Sequence, residues 1–231
     1  MRTADLEVIV DNNERREITA LLCDLDSGHE VLLTEMGVVK DFDGEVLEIA
    51  RDSMKKGVSR HISHRNKSYF VHVFVPPLRL IIVGAVHIAQ ALAHIGRTLG
   101  YEVTIVDPRR AFATEERFPL ETLIVAWPHD AIGPLRPDIR TAIVTLTHDP
   151  KIDDVALIAA LKTSAFYIGS LGSRRTHEKR LGRLRTAGLL DDDLVRINAP
   201  VGLDIGAITP AEIAVSVAAE ITERLRLVSN A

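Results

Sequence analysis

Five short apolar segments of this sequence are each followed by glycine, hydroxyl, imidazole or charged residues that can bind an anion or move a proton. The segments are RLIIV, EVTIVD, TLIVAW, TAIVTLT and AFYIG. In an open parallel sheet, ligands bind beyond the carboxyl ends of the strands. If the five segments are parallel strands, the residues that follow them are therefore the candidate site.

The turn after the first segment is similar to a dinucleotide-binding fingerprint with one member changed. Such a fingerprint uses one glycine for the tight turn, a second where the backbone approaches pyrophosphate, and a small third residue for helix packing. Those positions hold Gly84, Val86 and Ala89, so a β-branched side chain stands where the phosphates would lie. The following helix N-terminus still favours an anion in a displaced position. We expect Gly84, Ala85 and His87 to border a ligand, without close pyrophosphate contact.

Two further turns carry charges suited to a nucleotide or a phosphate. Asp107 ends the second segment, where an acid can hold a ribose, although a turn residue before proline is an equal alternative. Arg109 could instead meet a phosphate. After the fifth segment, glycines, serines and arginines precede a predicted helix and form a candidate anion cradle, whose alternative is a flexible connection with solvated charges. The cradle consists of Gly169, Ser170, Gly172, Ser173, Arg174 and Arg175.

The histidines give a weak case for metal binding. His87 and His94 are seven residues apart on one predicted helix, about 10 Å, which is too far to share an ion. His129 and His148 follow consecutive predicted strands and could converge, but no clear third ligand accompanies them. We therefore predict no metal site, and keep His148 and Asp149 as candidate ligand-binding residues.

The elements that position these residues form two predicted domains. From residue 78 to 231, short apolar runs alternate with amphipathic helical stretches, which predicts an α/β fold, a Rossmann-like doubly wound parallel sheet. Residues 1–77 predict a small α+β unit. In it, LEVIV and ITALLCDL are predicted as strands or short buried segments, YFVHVFV as an alternating strand, and GEVLEIARDSMKKG as a helix ending at Gly57. A capping box at Thr209 and Glu212 predicts the start of the last helix.

The composition excludes several classes of function. The 231 residues are 46% hydrophobic with a formal charge of -4, which gives no overall attraction to nucleic acid or to an acidic membrane surface. No stretch approaches the ~20 apolar residues that span a bilayer, and we find no signal peptide. The single cysteine, Cys23, excludes an internal disulfide and fits a reducing compartment. We expect a cytoplasmic protein that binds neither nucleic acid nor membrane.

Three blocks of the sequence resemble the XdhC/CoxI family, the xanthine dehydrogenase accessory proteins. They are THDPKIDD, GSLGSRR and PVGLDIGAITPAEIA, and the similarity covers about Phe74 to Ile221. The resemblance implies a cytoplasmic factor, commonly dimeric, that binds molybdenum cofactor and assists its sulfuration with a cysteine desulfurase. Such a factor delivers the cofactor to a xanthine dehydrogenase or carbon monoxide dehydrogenase. It also implies that Asp204, in the third block, belongs to the binding site.

The chain departs from the family pattern at two places. Family members typically have Gly-His after the first Gly-Ala, whereas this chain has Val86 and His87. Members also carry a Gly-Gly-Cys segment that is a candidate cofactor ligand, whereas the corresponding stretch, TEMGVVKDFDGEVLEIARDSMKKG, has no cysteine. We therefore expect either weak cofactor binding or action beside a second family member.

Three hypotheses follow from the sequence. The first is a non-catalytic protein that binds and delivers molybdenum cofactor, and we adopt it. The second is an NAD(P)-dependent oxidoreductase with Asp107 on the ribose and His129 or His148 as acid and base. The third is an interaction protein that binds no small ligand. Identifying the ligand that copurifies with the protein distinguishes the three.

Overall fold

The computed structural model describes residues 2–34, 37 and 41–230, with side chains up to residue 227. The chain divides into two compact units, Met1–Pro76 and Pro77–Leu227. No helix within the described residues is both long enough and apolar enough to cross a membrane.

The first unit is a four-stranded antiparallel sheet with two helices, and its strand order is β2-β1-β4-β3. Its elements are α1 (Thr3–Glu14), β1 (Thr19–Asp24), β2 (Glu30–Leu33), α2 (Gly44–Lys56), β3 (Arg60–His64) and β4 (Lys67–Phe74). Helix α2 begins where Asp43 accepts a hydrogen bond from the Glu45 amide, and it ends at Gly57 in a left-handed conformation, as predicted. Half-buried Cys23 lies on β1, where burial raises the pKa of its thiol.

The prediction of a strand or short buried segment at LEVIV was wrong, because these residues lie within α1, where Leu6, Val8 and Val10 are exposed. The buried positions of α1 are Asp5, Ile9 and Asn12, which have helical spacing, whereas Leu6 is 45% exposed. Asp5 accepts hydrogen bonds from the Arg2 backbone amide and guanidinium, which fixes the first turn. Two of the three buried residues are polar, so hydrophobicity alone hid the helical period.

The second unit is a six-stranded parallel sheet with the order β10-β9-β8-β5-β6-β7. Its strands are β5 (Leu78–Val83), β6 (Tyr101–Val106), β7 (Thr122–Ile124), β8 (Thr141–Thr145), β9 (Tyr167–Ser170) and β10 (Ile197–Asn198). Its helices are α3 (His87–Thr98), α4 (Pro128–Ala131), α5 (Pro150–Leu161), α6 (Arg174–Thr186), α7 (Asp191–Leu194) and α8 (Pro210–Asn230). This is the strand order of a doubly wound dinucleotide-binding fold, so the predicted fold class is confirmed.

Separate apolar clusters cover the two faces of the parallel sheet. Leu80 and Ile82 of β5 point into one cluster, and Ile81 and Val83 point into the other. Burial on both faces explains why the strands are almost continuously apolar in sequence. Strand β7 ends at Ile124, before the predicted VAW extension. This edge strand pairs only with β6, and Ile124 is paired with Val106, the last residue of β6.

Helix α3 packs closely on the sheet through small residues. Its buried positions are Ala89, Leu92, Ala93 and Gly96, and a Cβ atom on Gly96 would lie 2.9 Å from Leu80 Cδ2. This close approach sets the position of the helix N-terminus at the carboxyl edge of the sheet.

The last helix is anchored by the predicted capping box. Glu212 accepts hydrogen bonds from the Ile208 and Thr209 amides, and its own amide donates to Thr209 Oγ1 at 3.3 Å. Further along α8, Glu220 accepts hydrogen bonds from the Tyr167 hydroxyl at 2.5 Å and the Gly202 amide at 2.7 Å. Together these contacts hold the loop between β10 and α8 against the sheet.

Candidate functional site

The candidate residues lie at the carboxyl edge of the parallel sheet, where four neighbouring strands end side by side. These strands are β9, β8, β5 and β6. Strand order reverses between β5 and β8, because the chain leaves β5 toward β6 and returns to β8 on the other side. Ligands in doubly wound folds bind at this switch point. The turns after β5 and β8 therefore form its centre.

The turns after β5 and β8 touch at Gly84. This residue has a φ of +109°, and a Cβ atom there would lie 2.5 Å from Thr147 Cγ2 and 3.2 Å from the Thr147 amide nitrogen. Only glycine fits both the conformation and the space. Its role in this structure is thus the tight turn and a close approach to the neighbouring loop.

The turn after β5 has its own hydrogen-bond partners in the protein. The Ala85 amide donates to Asp107 Oδ2 at 2.8 Å, and the Ala85 carbonyl accepts from Arg117 Nη1 at 2.7 Å. Val86 is the N-cap of α3 and makes no side-chain capping bond. His87 is exposed at the first helical position. Among the predicted residues of this turn, His87 is the one whose side chain faces solvent.

Asp107 is fully buried and makes four contacts within the protein. Oδ1 accepts from the Arg109 amide and Nε, both at 2.9 Å, and Oδ2 accepts from Arg109 Nη2 at 2.7 Å as well as from Ala85. A carboxylate offers about four acceptor positions, so these contacts leave none for a ribose hydroxyl. The geometry is that of the turn residue, the alternative to ribose binding that the sequence left open.

These contacts also set the charge state of the pair. Burial alone raises the pKa of Asp107, but the Arg109 and Ala85 hydrogen bonds outweigh it and hold that pKa below its usual value. The same bonds raise the pKa of Arg109, and the nearby charges of Asp149 and Asp153 act in the same direction. Arg109 also lies over the Phe112 ring, 4.2 Å from its centroid. Its guanidinium is therefore held in one place, one third exposed, beside the turn after β5.

Replacing Asp107 by asparagine is expected to lower the free energy of unfolding by about 1–3 kcal/mol at pH 7, because charge-assisted hydrogen bonds are lost in a buried position. The folded pKa of Asp107 is depressed, so the difference between wild type and variant is constant above pH ~5 and shrinks as the pH falls below ~4. Urea unfolding followed by fluorescence of Trp127, the sole tryptophan, at pH 7, 5 and 3 measures it. A difference that grows toward acid pH would contradict this assignment.

The turn after β9 divides into a buried and an exposed part. Gly169 and Ser170 are strand residues, and a Cβ atom on Gly169 would lie 2.6 Å from Val201 Cγ2. Ser170 Oγ lies 2.6 Å from Thr145 Oγ1 inside the sheet. These two predicted residues therefore support the sheet and do not face a ligand in this structure.

The exposed part of this turn begins helix α6. Gly172 has a φ of +141°, and Ser173 caps the helix by accepting a hydrogen bond from the Thr176 amide at 3.2 Å. Arg174 and Arg175 are exposed in the first turn, and neither forms an ion pair or hydrogen bond within the described part of the chain. A capped helix N-terminus with two uncompensated arginines is suited to binding a phosphate.

The turn after β8 presents His148 and Asp149 beside β5. His148 has a φ of +63°, unusual for a residue with a side chain, and its amide donates to Asp153 Oδ2 at 3.0 Å. Asp149 caps α5 by accepting from the Lys151 amide at 2.9 Å. The backbone of His148 is therefore fixed by a buried carboxylate that sequence reasoning missed.

His129 and His148 follow strands that are not neighbours in the sheet, because β5 and β6 lie between β7, which precedes His129, and β8. Helix α4, which contains His129, packs against α5, which begins after His148. His129 is exposed, and its Nε2 lies 3.5 Å from Asp130 Oδ2.

No group of three His, Cys, Asp or Glu residues placed to hold a metal ion was found among residues 2–34, 37 and 41–230. Asp204 is exposed in the loop after β10, which the contacts of Glu220 hold in place.

Comparison with known proteins places the second unit in a family. Residues 80–221 match the XdhC Rossmann domain. The chain belongs to the XdhC family. This match covers the parallel sheet, α3 and most of α8, and includes the turns described above.

Two curated relatives of this XdhC protein carry informative names. One, from Bacillus subtilis strain 168, is named as a probable component of xanthine dehydrogenase and is 29% identical over 89% of the chain. Another, from Escherichia coli strain K12, is named the molybdenum cofactor insertion chaperone PaoD and is 34% identical over 64% of the chain. The chain spans 60% and 40% of the lengths of these two proteins.

A solved structure shows the same fold. The crystal structure of a protein described as a xanthine dehydrogenase from Bacillus halodurans aligns over 97% of this chain and 64% of its own length. The TM-score is 0.72 at 24% sequence identity. At this identity the likeness concerns the fold alone.

The Gly-Gly-Cys segment that the resemblance implied corresponds to a stretch of this chain that the structure describes only in part. The corresponding stretch, residues 34–57, falls partly outside the described residues, and its remainder contains helix α2. None of its residues is a cysteine.

The sequence interpretation missed the buried charges beneath the site, Asp153 and Arg180. For both residues, the spacing from apolar residues of the same helix indicates burial. Asp153 stands next to Ile152 and three residues before Ala156 on the buried face of α5. Arg180 precedes Leu184 by four residues on the buried face of α6. A charged residue within a buried helical stripe indicates a specific partner, because burying an unpaired charge is costly.

Proposed function

We propose that this XdhC protein is a maturation factor that binds molybdenum cofactor and delivers it to a molybdenum hydroxylase of the xanthine or carbon monoxide dehydrogenase type. The observation that carries the proposal is the pair Arg174 and Arg175, exposed and uncompensated at the capped N-terminus of α6. The names of the two relatives, one a probable xanthine dehydrogenase component and the other a cofactor insertion chaperone, support the same assignment.

The chemistry of the cofactor fits the residues at the sheet edge. Molybdenum cofactor carries a phosphate on its pterin, and the start of α6 offers two arginines, helix N–H groups and Gly172, which has no side chain to obstruct approach. His87, His148 and Asp149 offer hydrogen-bonding groups for the polar pterin ring along the adjoining turns. When bound, the cofactor supplies the molybdenum centre that the client enzyme needs.

In this proposal the protein holds and orients the cofactor without reacting with it. The remaining candidates at the edge, Gly84, Ala85, Asp107 and Arg109, shape the turn beside the pterin. Gly169 and Ser170 support the strand beneath the phosphate, and Asp204 borders the site from the loop after β10. We further propose that a cysteine desulfurase sulfurates the bound cofactor in the cytoplasm. A homodimer, or a second XdhC-type protein that supplies the missing thiol, completes the assembly.

The oxidoreductase alternative has less support at this edge. Its ribose-binding acid, Asp107, has all its acceptor positions in use within the protein, and Val86 caps α3 where pyrophosphate would approach. Its two candidate acid/base histidines follow strands separated by two others. The structure therefore favours the phosphate of a pterin at α6 over a dinucleotide at α3.

Equilibrium dialysis tests the proposal directly. The full chain is dialysed anaerobically against molybdenum cofactor released from a purified molybdenum hydroxylase, and in parallel against NAD and NADP. We expect retention of the pterin and no retention of either dinucleotide. Retention of NAD or NADP in place of the pterin, or of none of the three, would contradict the proposal.

A further inference from the structure

Two buried charged residues connect the turns after β8 and β9. The side chains of Asp153 on α5 and Arg180 on α6 are 1% and 2% exposed, and Arg180 Nη2 lies 3.9 Å from Asp153 Oδ2. Each of these side chains also bonds to the backbone of one turn. We propose that Asp153 and Arg180 are positioning residues that fix the two turns relative to each other.

On one side of the pair, Asp153 organises the turn after β8. Its Oδ1 accepts from the Thr147 hydroxyl at 2.6 Å and from the Thr147 amide at 3.2 Å, and its Oδ2 accepts from the His148 amide at 3.0 Å. These bonds hold His148 in its left-handed conformation, which a residue with a side chain adopts only when its surroundings impose it. Asp153 thus determines where His148 and Asp149 stand at the sheet edge.

On the other side, Arg180 organises the turn after β9. Its Nη2 donates to the Leu171 carbonyl at 2.9 Å and lies 3.8 Å from the place where a Gly172 side chain would begin. The contacts therefore form a continuous chain from the His148 amide through Asp153 and Arg180 to the Leu171 carbonyl. The exposed arginines of the phosphate-binding turn begin three residues after Leu171.

The remaining contacts of Arg180 indicate that the pair has a role other than general stability. Its Nε lies 3.8 Å from Asp154, which is bound more closely by Arg183. Neither Nε nor Nη1 of Arg180 has a hydrogen-bond acceptor among the described residues. A buried ion pair with incomplete hydrogen bonding contributes little net stability, and apolar residues often replace one without loss. Its geometric effect, holding two ligand-facing turns in one arrangement, accounts for its presence.

Amide hydrogen exchange tests the connection without any ligand. Arg180 reaches both the Leu171 carbonyl and Asp153 with Nη2, at the end of its rigid planar guanidinium. Arg180→Lys keeps the positive charge, but places it on a shorter, flexible side chain whose compact ammonium group is not held at that position. We expect the His148 amide, which donates its hydrogen bond to Asp153, to exchange about tenfold faster, equivalent to about 1.4 kcal/mol of local stability. The amides of β5 serve as the internal reference, and we expect them to exchange at the wild-type rate.

Arg183→Lys is the matched control. Arg183 is on the same helix and pairs with Asp154, but forms no hydrogen bond or ion pair with either turn within the described residues. We expect wild-type exchange at His148 in this variant. Unchanged exchange at His148 in Arg180→Lys, equal acceleration in both variants, or equal acceleration of the β5 amides would overturn the proposal.

The effect on ligand binding rests on the function proposed above, and the same variants separate the two claims. We expect Arg180→Lys to bind the released molybdenum cofactor about tenfold more weakly than wild type, the lower end of the loss found when residues that orient metal ligands are replaced. We expect Arg183→Lys to bind it normally. If wild type binds no cofactor, the proposed function fails while the exchange result still decides the positioning role. If wild type binds and Arg180→Lys binds equally well, the positioning role fails and the proposed function stands.

Discussion

The double substitution Arg174→Ala, Arg175→Ala is expected to weaken binding of molybdenum cofactor by about one to two orders of magnitude. A charge-assisted hydrogen bond contributes about 1.5–3 kcal/mol when sheltered and less when exposed, and both arginines are exposed. The fold is expected to be unaffected, because neither side chain has a partner in the described part of the chain. Equilibrium dialysis of the full chain against the released cofactor measures the change.

Lys179→Ala, Arg185→Ala is the matched control for this pair. It removes the same charge from exposed positions of the same helix, but farther from its N-terminus, and it also removes the exposed ion pair of Arg185 with Asp191. We expect this control to retain nearly wild-type affinity. Equal losses in the two double variants would assign the effect to general electrostatic attraction and would rule out the turn at α6 as the phosphate site.

Replacing Gly84 by alanine is expected to lower the free energy of unfolding of the second unit by about 2–5 kcal/mol. A residue with a side chain is strained at a φ of +109°, and the added Cβ would lie 2.5 Å from Thr147 Cγ2. Strain and overpacking each cost about 1–3 kcal/mol. Trp127 lies in this unit and is the sole tryptophan of the chain, so its fluorescence during urea unfolding reports on this unit.

Gly182→Ala provides the control, with the opposite expected sign. Gly182 lies within α6, and a Cβ atom there would meet nothing within 4 Å. Alanine is about 1 kcal/mol more favourable than glycine in a helix interior, so this variant should be slightly more stable than wild type. A Gly84→Ala variant as stable as Gly182→Ala would show that the turn after β5 and Thr147 are not packed as described.

Local patterns predicted five strands of the second unit, because burial on both sheet faces leaves a clear signal, but not the two-residue strand β10 or the short helices α4 and α7. Each of the five apolar segments contains one strand, and the capping box at Thr209 and Glu212 forms as expected. The pattern failed at LEVIV, where polar Asp5 and Asn12 occupy buried helical positions. Hydrophobic periodicity identifies an element reliably only when its buried residues are apolar.

Sequence spacing also could not give the lateral order of the strands. His129 and His148 follow strands that are consecutive in the chain, but the switch in strand order places β5 and β6 between them. Asp107 shows a related limit. Its position at the end of β6 was predicted, whereas its bonds to Ala85 and Arg109 depend on the contact between two turns distant in sequence.

The central claim is that this chain carries molybdenum cofactor, and identifying its copurifying ligand tests that claim most directly. The full chain is purified anaerobically from a host that makes the cofactor and from a matched host unable to make molybdopterin. The protein is then denatured, and the released small molecules are identified by mass spectrometry. We predict a phosphate-bearing pterin from the first preparation and none from the second. Repeated preparations from the first host that contain NAD or NADP instead, or no small molecule, would contradict the account.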